Sequence, residues 1–251
     1  DVTKYTKTKV EKGDEYGMKG ASAIGKEWYE QAKALTDKVV GMTKEQVQAI
    51  AVDAEGVATD ADIKAGTTIH ITAFIEACVK AIDNAVEVKN VAKFGLGHSI
   101  AVTGKNFTPA TDTAAAKNGN YGVNVDLVVV ALDKNDKVVY AKWDIAQCSG
   151  LAFDNTGLHT SDVATFTKTK LEKGADYGMK GASAIGKEWF EQSAFLTDYV
   201  VTNKLDKAGI EAIALADGYA SDADLKAGVS IHISSFIPTI VEAVNNAVAV
   251  K

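Results

Sequence analysis

The sequence predicts an α+β fold: a small antiparallel β-sheet covered by helices, with the helical half-module duplicated. Three observations carry this expectation. The block YGMKGASAIGKEW at Tyr16–Trp28 recurs letter for letter at Tyr177–Trp189. Apolar residues after each block recur at helical spacing. Between the two copies the pattern switches to alternation, as in a strand with one buried face.

The duplication extends well beyond the identical block. DVTKYTKTKVEKG at Asp1 matches DVATFTKTKLEKG at Asp162, and DADIKAGTTIHITAF at Asp60 matches DADLKAGVSIHISSF at Asp222. The copies end alike, in AIDNAVEV and AVNNAVAV. A repeat of this length is a duplicated structural unit.

Within each copy, Ser22 and Ser183 are well placed as helix N-caps, each with a hydroxyl to accept an orphan backbone N–H. The first apolar stripe runs Ile24, Trp28, Ala32, Leu35, Val39, and its partner runs Ile185, Trp189, Ser193, Leu196, Val200. A short helix from Thr43, as cap, to Ile50 follows, with a counterpart near Asp206–Ile213. Longer amphipathic helices are expected over Ile71–Val86 and Ile233–Val248. Pro238 falls inside the second of these and should kink it or occupy its first turn. Gly66 and Gly228 are read as starting these last helices.

Between the copies, Val123, Val125, Leu127 and Val129 alternate with polar residues, DKND at Asp133 marks a turn, and Val139, Ala141, Trp143 and Ile145 alternate again. This is a hairpin. Ser99–Thr103 and Leu151–Phe153 are weaker strand candidates, and a last strand is expected near Val163–Thr167. The predicted organisation is a helical half-module at 1–91 and a complete α+β unit at 92–251. The latter divides into a β segment, 92–158, and the second helical copy, 159–251. The first half-module has apolar helix faces and no sheet of its own. Three arrangements meet that need: packing on the complete unit, an upstream sheet removed by processing, or a sheet from another subunit.

The 251 residues are 47% apolar and 24% charged, with two prolines and 21 glycines. This is the balance of a globular protein with a core of normal size and no Pro-rich linker. The net charge of −6 and the absence of a basic stripe argue against nucleic-acid binding. No apolar run approaches the roughly 20 residues of a transmembrane helix. Cys78 and Cys148 form no metal pattern and read as small buried residues, with a disulfide open. No signal peptide is visible, and the abrupt start at Asp1 suggests a processed chain.

Chemistry-bearing constellations are sparse. Gly17, Gly20 and Gly25, with Lys19 and Lys26, lead toward a helix and resemble an anion cradle, although they match no phosphate-loop pattern. The alternative is a tight turn that docks Trp28 or Trp189. His70 and His232 occupy equivalent positions. One histidine per module is a weak metal signal, although two such residues suit axial ligation of a haem. His98 and His159 flank the β segment. Neither an EF-hand order, a nucleophile elbow nor a Ser–His–Asp pattern is present, so an enzyme with its own catalytic residues is the last expectation.

The stretches VDLVVVALDKNDKVVYAKWDIAQ, FDNTG and TKTKLEKGADYGMKGASAIGKEWFEQ together resemble a group of secreted lipoproteins of anaerobic Firmicutes. That resemblance implies an extracellular or cell-surface setting. A looser similarity runs to the FMN-binding domain family of extracytoplasmic electron-transfer proteins. In that family an SGAT motif precedes the final helix, and its threonine carries FMN in covalent members. The corresponding stretches are AGTT, Ala65–Thr68, and AGVS, Ala227–Ser230. The similarity implies flavin-phosphate contacts at Gly66, Thr68, Gly228 and Ser230.

Two function classes follow. The first is a non-enzymatic structural or assembly protein that self-associates by sharing a β-sheet between subunits. The second is a flavin- or solute-binding domain. The unpaired half-module places the first ahead.

Overall fold

The computed structural model describes residues 6–158, 160 and 166–250. The chain is α+β, as the sequence predicts, and divides into two compact units, Lys7–Glu87 and Val88–Lys251. The division falls a few residues before the expected 91/92 boundary. The Ala92 N–H donates to the Leu132 carbonyl, so pairing with the sheet begins just before the first strand.

The first unit holds α1 (Lys9–Lys12), α2 (Trp28–Val39), α3 (Lys44–Gln48), α4 (Ala61–Lys64) and α5 (Thr72–Asp83). Local chemistry sets their starts. Thr8 and Thr43 form capping boxes with Glu11 and Gln46, and the Asp60 carboxylate accepts from the N–H groups of Asp62 and Ile63. Its small core gathers Leu35, Ala58, Ile63 and Ile71.

In the second unit, β1 (Lys93–Lys105), β2 (Gly119–Leu132) and β3 (Val138–Phe153) form an antiparallel sheet. The helical copy follows as α6 (Lys170–Lys173), α7 (Trp189–Thr202), α8 (Lys207–Glu211), α9 (Ala223–Lys226) and α10 (Phe236–Asn245). A two-residue ribbon, β4 (Leu215–Ala216) with β5 (Tyr219–Ala220), precedes α9. The last strand, β6 (Val248–Ala249), pairs with Lys93 and Phe94 at the edge, giving the order β3-β2-β1-β6. Helix α10 lies across β1 and β2, and α7 lies across β3. Val128, Val130, Trp143 and Ile145 from the sheet meet Trp189, Leu196, Phe236 and Ile240 in one core. The predicted hairpin, the Thr43 cap, the start at Asp206 and the place of Pro238 in a first turn all appear. The core face of β2, however, is the reverse of the expected one: Asp126, Val128 and Val130 are buried opposite Trp143 and Ile145, and Leu127 and Val129 lie on the outer face.

Several expectations need correction. Ser22 and Ser183 do not cap α2 and α7. These helices begin at Trp28 and Trp189, with Glu27 and Glu188 as caps, so Ile24 and Ile185 precede the helices. The glutamates win because each forms a capping box with Glu30 or Glu191. Gly66 and Gly228 follow the C-termini of α4 and α9 instead of starting α5 and α10. Helix α10 stops at Asn245, short of Val248, because Val248 joins the sheet. His98 lies within β1, and the weak candidates at Ser99–Thr103 and Leu151–Phe153 are parts of β1 and β3. Most of the expected strand at Val163–Thr167, and His159, lie outside the described residues.

Candidate functional site

Both copies build the same polar scaffold from the repeated block. The Glu27 carboxylate accepts from the N–H groups of Met18 and Lys19 at 2.8 and 3.0 Å, and Glu188 does the same for Met179 and Lys180 at 2.9 and 3.0 Å. The backbone donors that make this block resemble an anion cradle are therefore satisfied by the chain's own carboxylate. Behind it sits a fully buried glutamine, Gln31 or Gln192. The Gln192 amide donates to the Ser183 hydroxyl and the Lys187 carbonyl, and its oxygen accepts from the Ser230 N–H and hydroxyl. Gln31 repeats the pattern with Ser22, Lys26 and Thr68. Ser22 and Ser183, misread as helix caps, and Thr68 and Ser230, the residues aligned with the flavin motif, are thus brought together around a buried amide.

The other sequence candidates take packing positions. Gly228 lies against Phe195, where a Cβ would stand 2.3 Å from the ring, and Gly66 faces Ala34. His232 is exposed and lies tilted against the Tyr219 ring with centroids 3.9 Å apart, and exposed His70 sits beside Gly56. Among the described residues no group of three or more His, Cys, Asp or Glu side chains is placed to hold a metal ion. Cys78 and Cys148 are free thiols, both half-buried.

The second unit contains an open cavity of about 750 Å³ between the repeated block, the 219–232 segment and the sheet. Trp143, Lys170, Trp189, Ser230 and His232 line it. Sequence reasoning missed Lys170 and Trp143 as site residues, because only the docking of the helices on β3 brings them together. The Lys170 ammonium lies 5.0 Å from the Tyr177 ring centroid and 5.1 Å from that of Trp189. Burial pushes its pKa down, while Asp126 and Asp144 oppose that shift.

Below the cavity, Asp126 on β2 is buried and accepts from the Trp143 indole N–H and the Ser235 hydroxyl, both at 2.9 Å. Burial raises its pKa, and those two hydrogen bonds and Lys170 only partly offset the rise. Between the ordinary Asp pKa of about 3.9 and the raised folded value, the folded state holds more protons than the unfolded state, so stability falls as pH rises through that window. Asp126→Asn keeps an acceptor and removes the titration. Urea titrations from about pH 3 to about pH 7 should show the stability of the variant, relative to wild type, rising with pH and then levelling. A difference independent of pH would contradict this assignment.

The two copies differ in how their equivalent faces are covered. Phe236, Thr239, Ile240 and Ala243 of α10 are buried beneath the sheet. Their counterparts Phe74, Ala77, Cys78 and Ala81 lie on α5, which buries none of its residues. Trp189, Ser193, Thr197 and Val200 of α7 are buried, whereas Trp28, Ala32 and Val39 are half-buried and Thr36 is exposed. The sheet itself has a second apolar face. Phe94, Leu96 and Leu127 are 48%, 49% and 37% exposed there, and Leu96 pairs with Val129. Among the described residues no helix is long and apolar enough to cross a membrane. No protein-family model, curated protein or solved structure matches the chain.

Proposed function

We propose that this chain is a non-enzymatic building block of an extracellular or cell-surface assembly, in which the α2/α5 face of one copy docks on the outer sheet face of the next. The uncovered α5 face carries the reading. The same residues, in a duplicate of the same helix, are buried under a sheet in the second unit. On α5 Phe74 and Cys78 are half-buried and Ala77 and Ala81 exposed, and removing that apolar surface from water favours a partner.

The outer face of the sheet suits this role. Its inner face is already occupied by α7 and α10. Sizes are complementary as well: β1 presents Gly95 and Gly97 inward to α10, and Phe94 and Leu96 outward. Helix α5 carries the smaller Ala77 and Cys78 where α10 has Thr239 and Ile240. The two docking patches differ, so the contact is head-to-tail and joins more than two copies, in a ring or an open chain according to the rotation between them. The resemblance to secreted lipoproteins supplies the extracytoplasmic setting.

Sedimentation velocity between about 1 and about 100 µM should show concentration-dependent oligomers. Ala81→Glu, at an exposed helix position, and Leu96→Lys, on the sheet, should each yield monomers. Their mixture should stop at dimers, because each variant keeps one competent face. A wild-type monomer throughout that range, or charged variants that assemble like wild type, would refute the reading.

A further inference from the structure

Lys170 is only 9% exposed, yet among the described residues its ammonium donates no hydrogen bond and forms no ion pair, only ring contacts. A buried charge without a partner is costly. The two rings beneath it return part of that cost, as cation–π contacts do. Asp126 and Asp144 attract it from beyond ion-pair distance. The first unit shows that the burial is not required by the rings. There Lys9 lies 5.2 Å from the Tyr16 ring and 5.0 Å from the Trp28 ring and remains exposed. What encloses Lys170 is the sheet, which also supplies the Trp143 wall of the cavity.

We propose that this cavity binds an organic acid, with its anionic head on the Lys170 ammonium and a flat apolar body against the Tyr219 and His232 rings. The volume of about 750 Å³ is within the ordinary range for small-molecule sites, which combine apolar walls with a few placed polar groups. Lys170 supplies the charge that selects an acid. The exposed Tyr219 and His232 rings supply surface for a planar body, over a floor to which the buried Trp143 and Trp189 contribute. Exposed Lys226 lines the same opening and adds a second cation. This site lies in the second unit and does not depend on the docking of α5.

The probe set is 1-naphthoate, its neutral amide and 1-naphthylmethylammonium, titrated calorimetrically into the full chain. The acid should bind saturably with one equivalent, at least about ten-fold more tightly than the amide, and the ammonium more weakly still. Lys170→Met should weaken the acid at least about ten-fold and leave the amide unchanged, whereas Lys9→Met should change neither. A readout on the unaltered protein guards against a folding defect: the side-chain ζ-nitrogen resonance of Lys170 should move with the acid and stay fixed with the amide. Equal affinity for acid and amide, no saturable binding of the acid up to about 10 mM, or a fixed Lys170 resonance would each overturn the proposal.

Discussion

Gly97→Ala is expected to destabilise the second unit by about 4 kcal/mol, a large loss for a single added methyl group. Gly97 lies on β1 directly beneath α10. A Cβ there would stand 2.0 Å from the Thr239 carbonyl oxygen and 2.6 Å from the Ala243 nitrogen. Both are backbone atoms of the helix, so no side chain can rotate out of the way. Helix α10 would have to lift by about an ångström, and overpacking of this kind displaces whole elements. Phe236, Ile240 and Ala243, all fully buried, would lose their contacts together. Urea unfolding should show the midpoint falling at nearly constant slope. Amides of β1 and α10 should lose hydrogen-exchange protection. A loss below about 1 kcal/mol would mean that the helix tolerates a wider spacing than the close approach implies.

The same glycines explain where the sequence could be read and where it could not. Val123–Val129 and Val139–Ile145 alternate, and their hairpin was visible. In β2, however, the alternating valines and Leu127 marked the outer face, because the core face carries the buried Asp126 among Val128 and Val130. KFGLG at the start of β1 was not visible, because glycine is a poor strand former whose cost is offset only by a helix that the pattern cannot show. Ser22 and Ser183 illustrate a second limit. Serine is a good cap in general, but the carboxylate of Glu27 or Glu188 also satisfies two backbone donors in the loop before it. That advantage depends on loop geometry and not on residue type. The candidate site was legible only in part. Ser230 and His232 were singled out, and both line the cavity. Lys170 and Trp143 come from separate segments and meet only when the helices dock on the sheet. The mismatch of two helical halves with one sheet was readable from the duplication. The exposure of α5 gives that mismatch its physical form.

Trp143→Ala should cost about 5 kcal/mol and should remove the cavity wall at the same time. The side chain is 1% exposed. Its ring packs edge-on to Trp189 with centroids 5.0 Å apart and tilts against Phe236 at 5.1 Å. Truncating a buried tryptophan typically costs about 3–5 kcal/mol through lost transfer energy and the void it leaves. The indole N–H adds to this, because Asp126 would keep its buried carboxyl with one donor fewer. Trp143→Phe separates the two contributions. It retains most of the ring and loses the hydrogen bond, so its cost should be about 2 kcal/mol. Chemical denaturation of the three proteins measures both differences, and equal losses for alanine and phenylalanine would assign the whole effect to the Asp126 contact. The comparison also bears on the duplication. Trp28 and Trp189 end the same thirteen-letter block, yet Trp28 is half-buried while Trp189 is closed over by Trp143. A residue from outside the repeat therefore decides whether the repeated block ends in a core or in an open face.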